Sequence, residues 1–127
     1  MNWEPIINSE NFAEINFSEN YFKFREFEDF STDLESGTSH IDSDFHDCTF
    51  RRVEWYWGLF NIATFVRCEF TDCIFRGSSF PDCLFVECTL TNCQFVKDNL
   101  GGDCTFEGAV SYGCKVENTV GFAVTVA

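Results

Sequence analysis

Large apolar residues stand at every fifth position from residue 45 to residue 100: Phe45, Phe50, Trp55, Phe60, Phe65, Phe70, Phe75, Phe80, Phe85, Leu90, Phe95 and Leu100. Two residues ahead of each runs a second series, Ser43, Cys48, Val53, Gly58, Ala63, Cys68, Cys73, Ser78, Cys83, Cys88, Cys93 and Asp98, small in all but Val53 and Asp98. An α-helix repeats every 3.6 residues and a strand every two, so a period of five fits neither. On a helix these rings would spread around the whole cylinder. On one long strand they would alternate between faces. A chain that turns a corner every five residues accommodates the pattern. Each side then sends one small and one large side chain inward and leaves three positions outside, where Arg51, Arg52, Glu69, Asp72, Asp82, Glu87 and Lys97 fall.

The units read C-T-F-R-R, C-E-F-T-D, C-I-F-R-G, C-L-F-V-E, C-T-L-T-N and C-Q-F-V-K. This resembles the pentapeptide-repeat family, whose motif is a small residue, a polar residue, Leu or Phe, then two variable positions. Here cysteine stands where that family usually has alanine. The resemblance covers residues 43–100 strictly and extends toward residue 127. It implies an all-β-dominated fold, a right-handed quadrilateral parallel β-helix with about four repeats per coil. About sixteen units then make about four coils, a column about 20 Å tall at ~4.8 Å per rung. After Leu100 the register slips by one residue at Gly101-Gly102-Asp103 and resumes at Cys104 and Phe106, which reads as a bulge or loosened corner. Beyond it the inward residues shrink, as in a tapering last coil. The alternating apolar end GFAVTVA either covers the open end or meets a second copy, so the chain is expected to be a monomer or a C-terminal-end dimer.

Residues 1–42 lack the paired clock and form the second expected unit, an acidic cap ahead of the repeat body at 43–127. Tyr21, Phe24, Phe27 and Phe30 recur every three residues behind Ser18-Glu19-Asn20. That spacing predicts a helix near 19–30 with Ser18 as its N-cap and Glu19 and Lys23 as an i, i+4 pair, packed as a lid on the first coil. STDLESGTSHID, residues 31–42, reads as loop.

The formal net charge is -13, and 45% hydrophobic and 18% aromatic content excludes disorder despite it. The charge is uneven. Residues 1–47 hold 12 acidic and 2 basic residues, and residues 48–127 hold 9 and 6. Between 26 and 47 stand Glu26, Glu28, Asp29, Asp33, Glu35, Asp42, Asp44 and Asp47 with no Lys or Arg among them. Phosphate would repel such a surface, so direct nucleic-acid binding is not expected. The eight cysteines keep the five-residue clock, which reads as free core thiols in a reducing compartment rather than a disulfide framework. The N-terminus has no basic region followed by an apolar run, and no stretch approaches the ~20 apolar residues of a membrane span. A cytoplasmic protein with no membrane association is expected.

Chemistry finds little support. His46-Asp47-Cys48 offers a nucleophile and a base, but Cys48 points inward by register and His46 outward. Five-residue spacing supplies no converging metal ligands. No enzyme, cofactor or metal is expected. Two outward features remain. Tyr56 and Trp57, with Leu59, face out and meet either the N-terminal lid or a partner. Val66 and Val86, twenty residues apart, stack into an apolar column beside Leu84 that suits the lid helix or another subunit.

The acidic cluster either serves solubility or imitates nucleic acid on a stiff rod. The expected function is a non-enzymatic, DNA-mimicking inhibitor whose partner is the basic DNA-binding surface of a protein complex, with a CRISPR or restriction defence complex as the favoured target. Within the family it resembles, proteins that protect type II topoisomerases from quinolones imitate DNA, and a gyrase-binding protein of that type is the alternative. A toxin-immunity or other interaction module using Tyr56 and Trp57 is the third reading.

Overall fold

A computed structural model describes residues 5–32 and 40–127, and the chain folds as a parallel β-solenoid. The only helical element among the described residues is a 3-10 turn at Phe12–Glu14. Strands Tyr21–Lys23, Asp44–His46, Thr64–Val66, Leu84–Val86, Val110–Tyr112 and Thr125–Val126 stack in that order into a six-stranded parallel sheet. A seven-stranded parallel sheet contains Glu26–Ser31, Thr49–Tyr56, Glu69–Thr71, Ile74–Arg76, Thr89–Thr91, Gln94–Val96 and Lys115–Glu117. Thr49–Tyr56 rounds a corner within it. Thr49 pairs with Glu69 and Arg51 with Thr71, whereas Glu54 pairs with Ile74 and Tyr56 with Arg76. A further strip of single bridges joins His40, Leu59, Ser79 and Thr105.

The five-residue clock is the core. Every large position from Phe45 to Phe95 is buried, none more than 7% exposed. The rings stack nearly parallel in four columns: Phe22, Phe45, Phe65 and Phe85; Phe27, Phe50 and Phe70; Phe75 and Phe95; Phe60, Phe80 and Phe106. Centroids lie 4.5 to 5.1 Å apart, close to the ~4.8 Å step between paired strands, so one ring fits each rung. Burial of each ring contributes about 1.5–3 kcal/mol.

The small column explains the cysteines. Each interior thiol donates to the carbonyl of the ring residue one rung earlier: Cys68 Sγ to Phe45 O at 3.2 Å, Cys73 to Phe50 at 3.3 Å, Cys88 to Phe65 at 3.3 Å and Cys93 to Phe70 at 3.3 Å. Ser78 Oγ does the same for Trp55 O at 3.3 Å. A short side chain with a weak donor therefore fills the space and satisfies a buried acceptor. All eight thiols are free, six buried and two, Cys104 and Cys114, partly exposed. Burial pushes the Cys83 thiol up to about 12. Titration of the native protein with a thiol reagent should therefore find at most two fast-reacting groups, and all eight after denaturation. More than two fast thiols would mean that the solenoid is open in solution.

Corners cost conformational energy. Asp47, Arg52, Arg67, Asp72, Asp82 and Glu87 hold left-handed φ values of 50° to 55°, an uncommon state for non-glycine residues. Five of these corners are stitched to the next rung by their own N–H: Asp47 to Val66 O at 2.8 Å, Arg67 to Val86 O at 2.8 Å, Asp72 to Thr91 O at 3.0 Å, Asp82 to Glu107 O at 2.9 Å and Glu87 to Tyr112 O at 2.7 Å. That bond and the ring burial beside it offset the strain.

Several expectations require correction. The helix near 19–30 is absent, and its place is taken by strands Tyr21–Lys23 and Glu26–Ser31. The five-residue spacing of Phe17, Phe22 and Phe27 prevailed over the three-residue spacing of the aromatics, because all three rings are buried, Phe22 and Phe27 stacked on the columns below them and Phe17 packed against both. Pairing with the rung beneath supplied what local propensity could not. Ser18 consequently caps no helix; its Oγ donates to Asp42 Oδ1 at 2.9 Å. Ser31 and Thr32 belong to the solenoid wall rather than a loop, and residues 33–39 lie outside the described residues. Leu100, the last large position of the clock, is 84% exposed. Phe106 takes the interior place instead, stacked 5.0 Å from Phe80.

Both ends are plugged by rings. Phe17 sits edge-on to Trp55 and against Phe22 and Phe27, while Phe12 stacks on Phe30. At the other end Phe122 lies edge-on to Phe85 and Phe106. Below it Val126 is 79% exposed and Val120 57%.

Candidate partner-binding surface

Of the eight carboxylates in the acidic cluster, Asp33 and Glu35 lie outside the described residues. Four of the remaining six are held by arginines of the following rung. Arg51 Nη2 lies 2.7 Å from Glu26 Oε1 and its Nε 3.6 Å from Glu28 Oε2, Arg52 grips Asp29 with two nitrogens, and Arg67 Nε lies 2.8 Å from Asp47 Oδ1. Asp42 accepts hydrogen bonds from Ser18 Oγ and the Glu19 N–H. Asp44 is exposed and makes no ion pair among the described residues. The cluster is thus an assembly of internal pairs more than a sheet of bare charge.

The carboxyls of Asp29 and Asp47 are held below their ordinary 3.8 by the hydrogen bonds from Arg52 and Arg67, and that of Asp42 by the hydrogen bonds from Ser18 and Glu19. Glu54 is lowered in the same way by Arg76, 2.7 Å away. A lowered folded value means that the pairing stabilises fully above the ordinary value and is lost as the pH falls through the folded one. Asp47→Asn should therefore melt below wild type at pH 7, and the two curves should converge by about pH 2. A gap unchanged across that range would show that the Asp47–Arg67 pair contributes nothing.

Tyr56 and Trp57 are bound to their own chain. The Trp57 indole Nε1 donates to Asp98 Oδ2 at 2.7 Å, and the same carboxylate accepts from the Leu100 and Gly102 N–H groups at 2.8 Å each. Those bonds, Gly102 first, keep the Asp98 carboxyl below its ordinary range. Tyr56 packs 4.6 Å from Trp57 and lies under the Arg76 guanidinium. What covers Trp57 is therefore the inserted loop 97–103 that displaced Leu100. At Gly77, with φ 55°, an added Cβ would run into the Asp98 side chain, so the loop needs a glycine beneath it.

His46 touches Tyr21 edge-on, while Cys48 turns inward and donates to the Phe22 carbonyl, so the two do not form a catalytic pair. No cluster of three metal-ligating side chains exists among the described residues, and none of their helices is long and apolar enough to cross a membrane.

The missed partners of the acidic cluster were partly legible. Asp47 and Arg67 stand twenty residues apart, one turn of the regular register. Arg51 and Arg52 pair backwards over 23 and more residues, an offset that the regular clock does not produce.

The family model for pentapeptide repeats matches residues 63–100, in eight copies. Residues 63–100 carry pentapeptide repeats. The matched repeats span the most regular rungs, from Ala63 to the loop that breaks the clock, and the strands before and after them continue the same two sheets. No curated protein matches the chain.

Proposed function

We propose that this pentapeptide-repeat chain is a non-enzymatic, cytoplasmic binding protein that occupies the basic, DNA-binding surface of a nucleic-acid-handling complex. Its body on this reading is a right-handed, four-sided β-helix, with about four coils from 43 to 127; the four ring columns support that cross-section. The observation that carries the functional reading is the fixed register of the charges. Outward carboxylates such as Asp44, Glu69, Asp82 and Glu87 sit on backbone bonded to the neighbouring rungs. Little conformational entropy is lost when such charges meet a basic groove. Among the described carboxylates of the acidic cluster, Asp44 is the one best placed to meet cations, while the arginine-held carboxylates stiffen the wall beside it.

The test is competition with DNA. The protein should inhibit DNA binding by a type II topoisomerase or a DNA-cleaving defence complex. Inhibition should weaken steeply between low and physiological salt. Asp44→Lys, Glu69→Lys and Asp82→Lys together should abolish it without lowering the melting temperature. Reversing Glu26 or Asp29 is a poorer test, since it would place like charge against Arg51 and Arg52. Unchanged inhibition in the triple variant would refute the reading. Loss on Trp57→Phe instead would favour an aromatic interaction module.

A further inference from the structure

The outer surface of the six-stranded sheet differs from that of the adjoining side formed by Glu69–Thr71, Thr89–Thr91 and Lys115–Glu117. Across three consecutive rungs its outward positions are Thr64, Val66, Leu84, Val86, Val110 and Tyr112, with no charge among them. The corresponding outward positions of the adjoining side are Glu69, Thr71, Thr89, Thr91, Lys115 and Glu117, with no apolar residue among them. Both sides share one backbone and one inward clock, so the contrast belongs to the outward positions alone. Tyr112 is 49% exposed, and the Val66, Leu84 and Val86 side chains are partly exposed.

Charge lines the margins of this strip. The corner after its strands carries Asp47, Arg67 and Glu87, and the approach to them carries Asp82 and Glu107. Arg67 is already engaged by Asp47. The margins are therefore acidic on balance, around an apolar centre about 10 Å long and about 7 Å wide.

We propose that this strip docks an amphipathic helix of a partner protein, one with an apolar stripe and Lys or Arg along both flanks. The rung step of ~4.8 Å is near the ~5.4 Å pitch of a helix, so two to three turns laid along the solenoid can set an apolar residue beside each rung. Basic flanks then meet Asp82 and Glu107 on one side and Glu87 on the other. Thr32 and His40, which bracket residues 33–39, bond to Glu54 and Leu59 on other sides of the solenoid. A second copy would bring two acidic margins together, which favours a basic partner over self-association. This surface stands apart from the charge-mediated reading, because neutral changes at Leu84 and Val86 leave every carboxylate in place.

The full-length protein should be titrated with a fluorescent 18-residue Leu/Lys peptide of helical amphipathic pattern, a scrambled peptide of the same composition, and a Leu/Glu counterpart. The patterned basic peptide is expected to bind at least tenfold more tightly than either. Leu84→Ser with Val86→Ser should weaken it at least tenfold, while Thr89→Ser with Thr91→Ser on the adjoining side should not. Val66→Lys, a second route to the same outcome, should repel the peptide without touching the core. Thermal melts confirm that each variant is folded. Equal binding of scrambled and patterned peptides would overturn the proposal, as would insensitivity to both strip variants. A dimer in sedimentation that Val86→Ser dissociates would overturn it too, by making the occupant a second copy.

Discussion

Phe65→Ala should destabilise the protein by about 3–5 kcal/mol and lower its melting temperature by roughly 10–20 °C. Phe65 is 1% exposed and stacks 5.0 Å from Phe45 and 4.9 Å from Phe85, with Phe50 and Phe70 edge-on. Its removal opens a void that the neighbours cannot close, because each is held at the rung step by its own paired strand. Small domains are stable by only about 5–15 kcal/mol, so the change consumes a large share of the whole. A solenoid is nearly one-dimensional, and a gap at one rung also weakens the coupling between the parts on either side. Urea unfolding followed by both circular dichroism and tryptophan fluorescence should then give non-coincident transitions. In a Trp57→Phe background, which removes the indole bonded to Asp98, the signal of Trp55, packed against Phe17 and Phe30, reports the N-terminal side. A loss under about 1 kcal/mol would show that the ring columns are not the main source of stability.

The complementary expectation concerns the small column. Ala63 is fully buried between the rungs of Ser43 and Cys83, whose backbones bond to its own rung on either side. Ala63→Leu inserts three carbons where the strand step leaves no slack, and should cost about 1–3 kcal/mol or more. Ala63→Cys should be close to neutral, since Cys83 already occupies the same column one turn later. The two variants together separate size from polarity. If Leu and Cys were tolerated alike, the inward position would be looser than the packing implies.

Legibility in the sequence follows the distance over which each interaction acts. From Phe45 to Phe95 the inward residues could be read because each rung repeats the same two requirements, a ring and a small side chain. Upstream the small requirement lapses. Asn20 is exposed and Arg25 half-buried at the places where a small inward residue would stand, so the clock of Phe17, Phe22 and Phe27 lost its partner series. Tyr21, Phe24, Phe27 and Phe30 then offered a helical spacing that was a coincidence of two strands. Phe24 shows it plainly, being 65% exposed at a left-handed corner. Leu100 failed for another reason. Asp98 finds three hydrogen-bond donors by leaving the wall, and the residues behind it leave with it. The acidic cluster was visible as composition, but its pairing with Arg51 and Arg52 is a property of the register between turns.

The inserted loop has a consequence for how such a chain can change length. Strand partners advance by 20 residues from Thr64 to Leu84 and by 26 from Leu84 to Val110, yet the rings on either side of the loop remain in the same columns. The wall registers only how many sides have been completed and ignores what is looped out between them. Gain or loss of one full turn would therefore leave the Phe17 and Phe122 plugs seated and alter only the separation between them. Gain or loss of a single five-residue unit would instead rotate one plug relative to the other. The protein's height is in this sense a quantised variable, adjustable in whole turns, whereas surface loops can drift in length continuously without the core recording it.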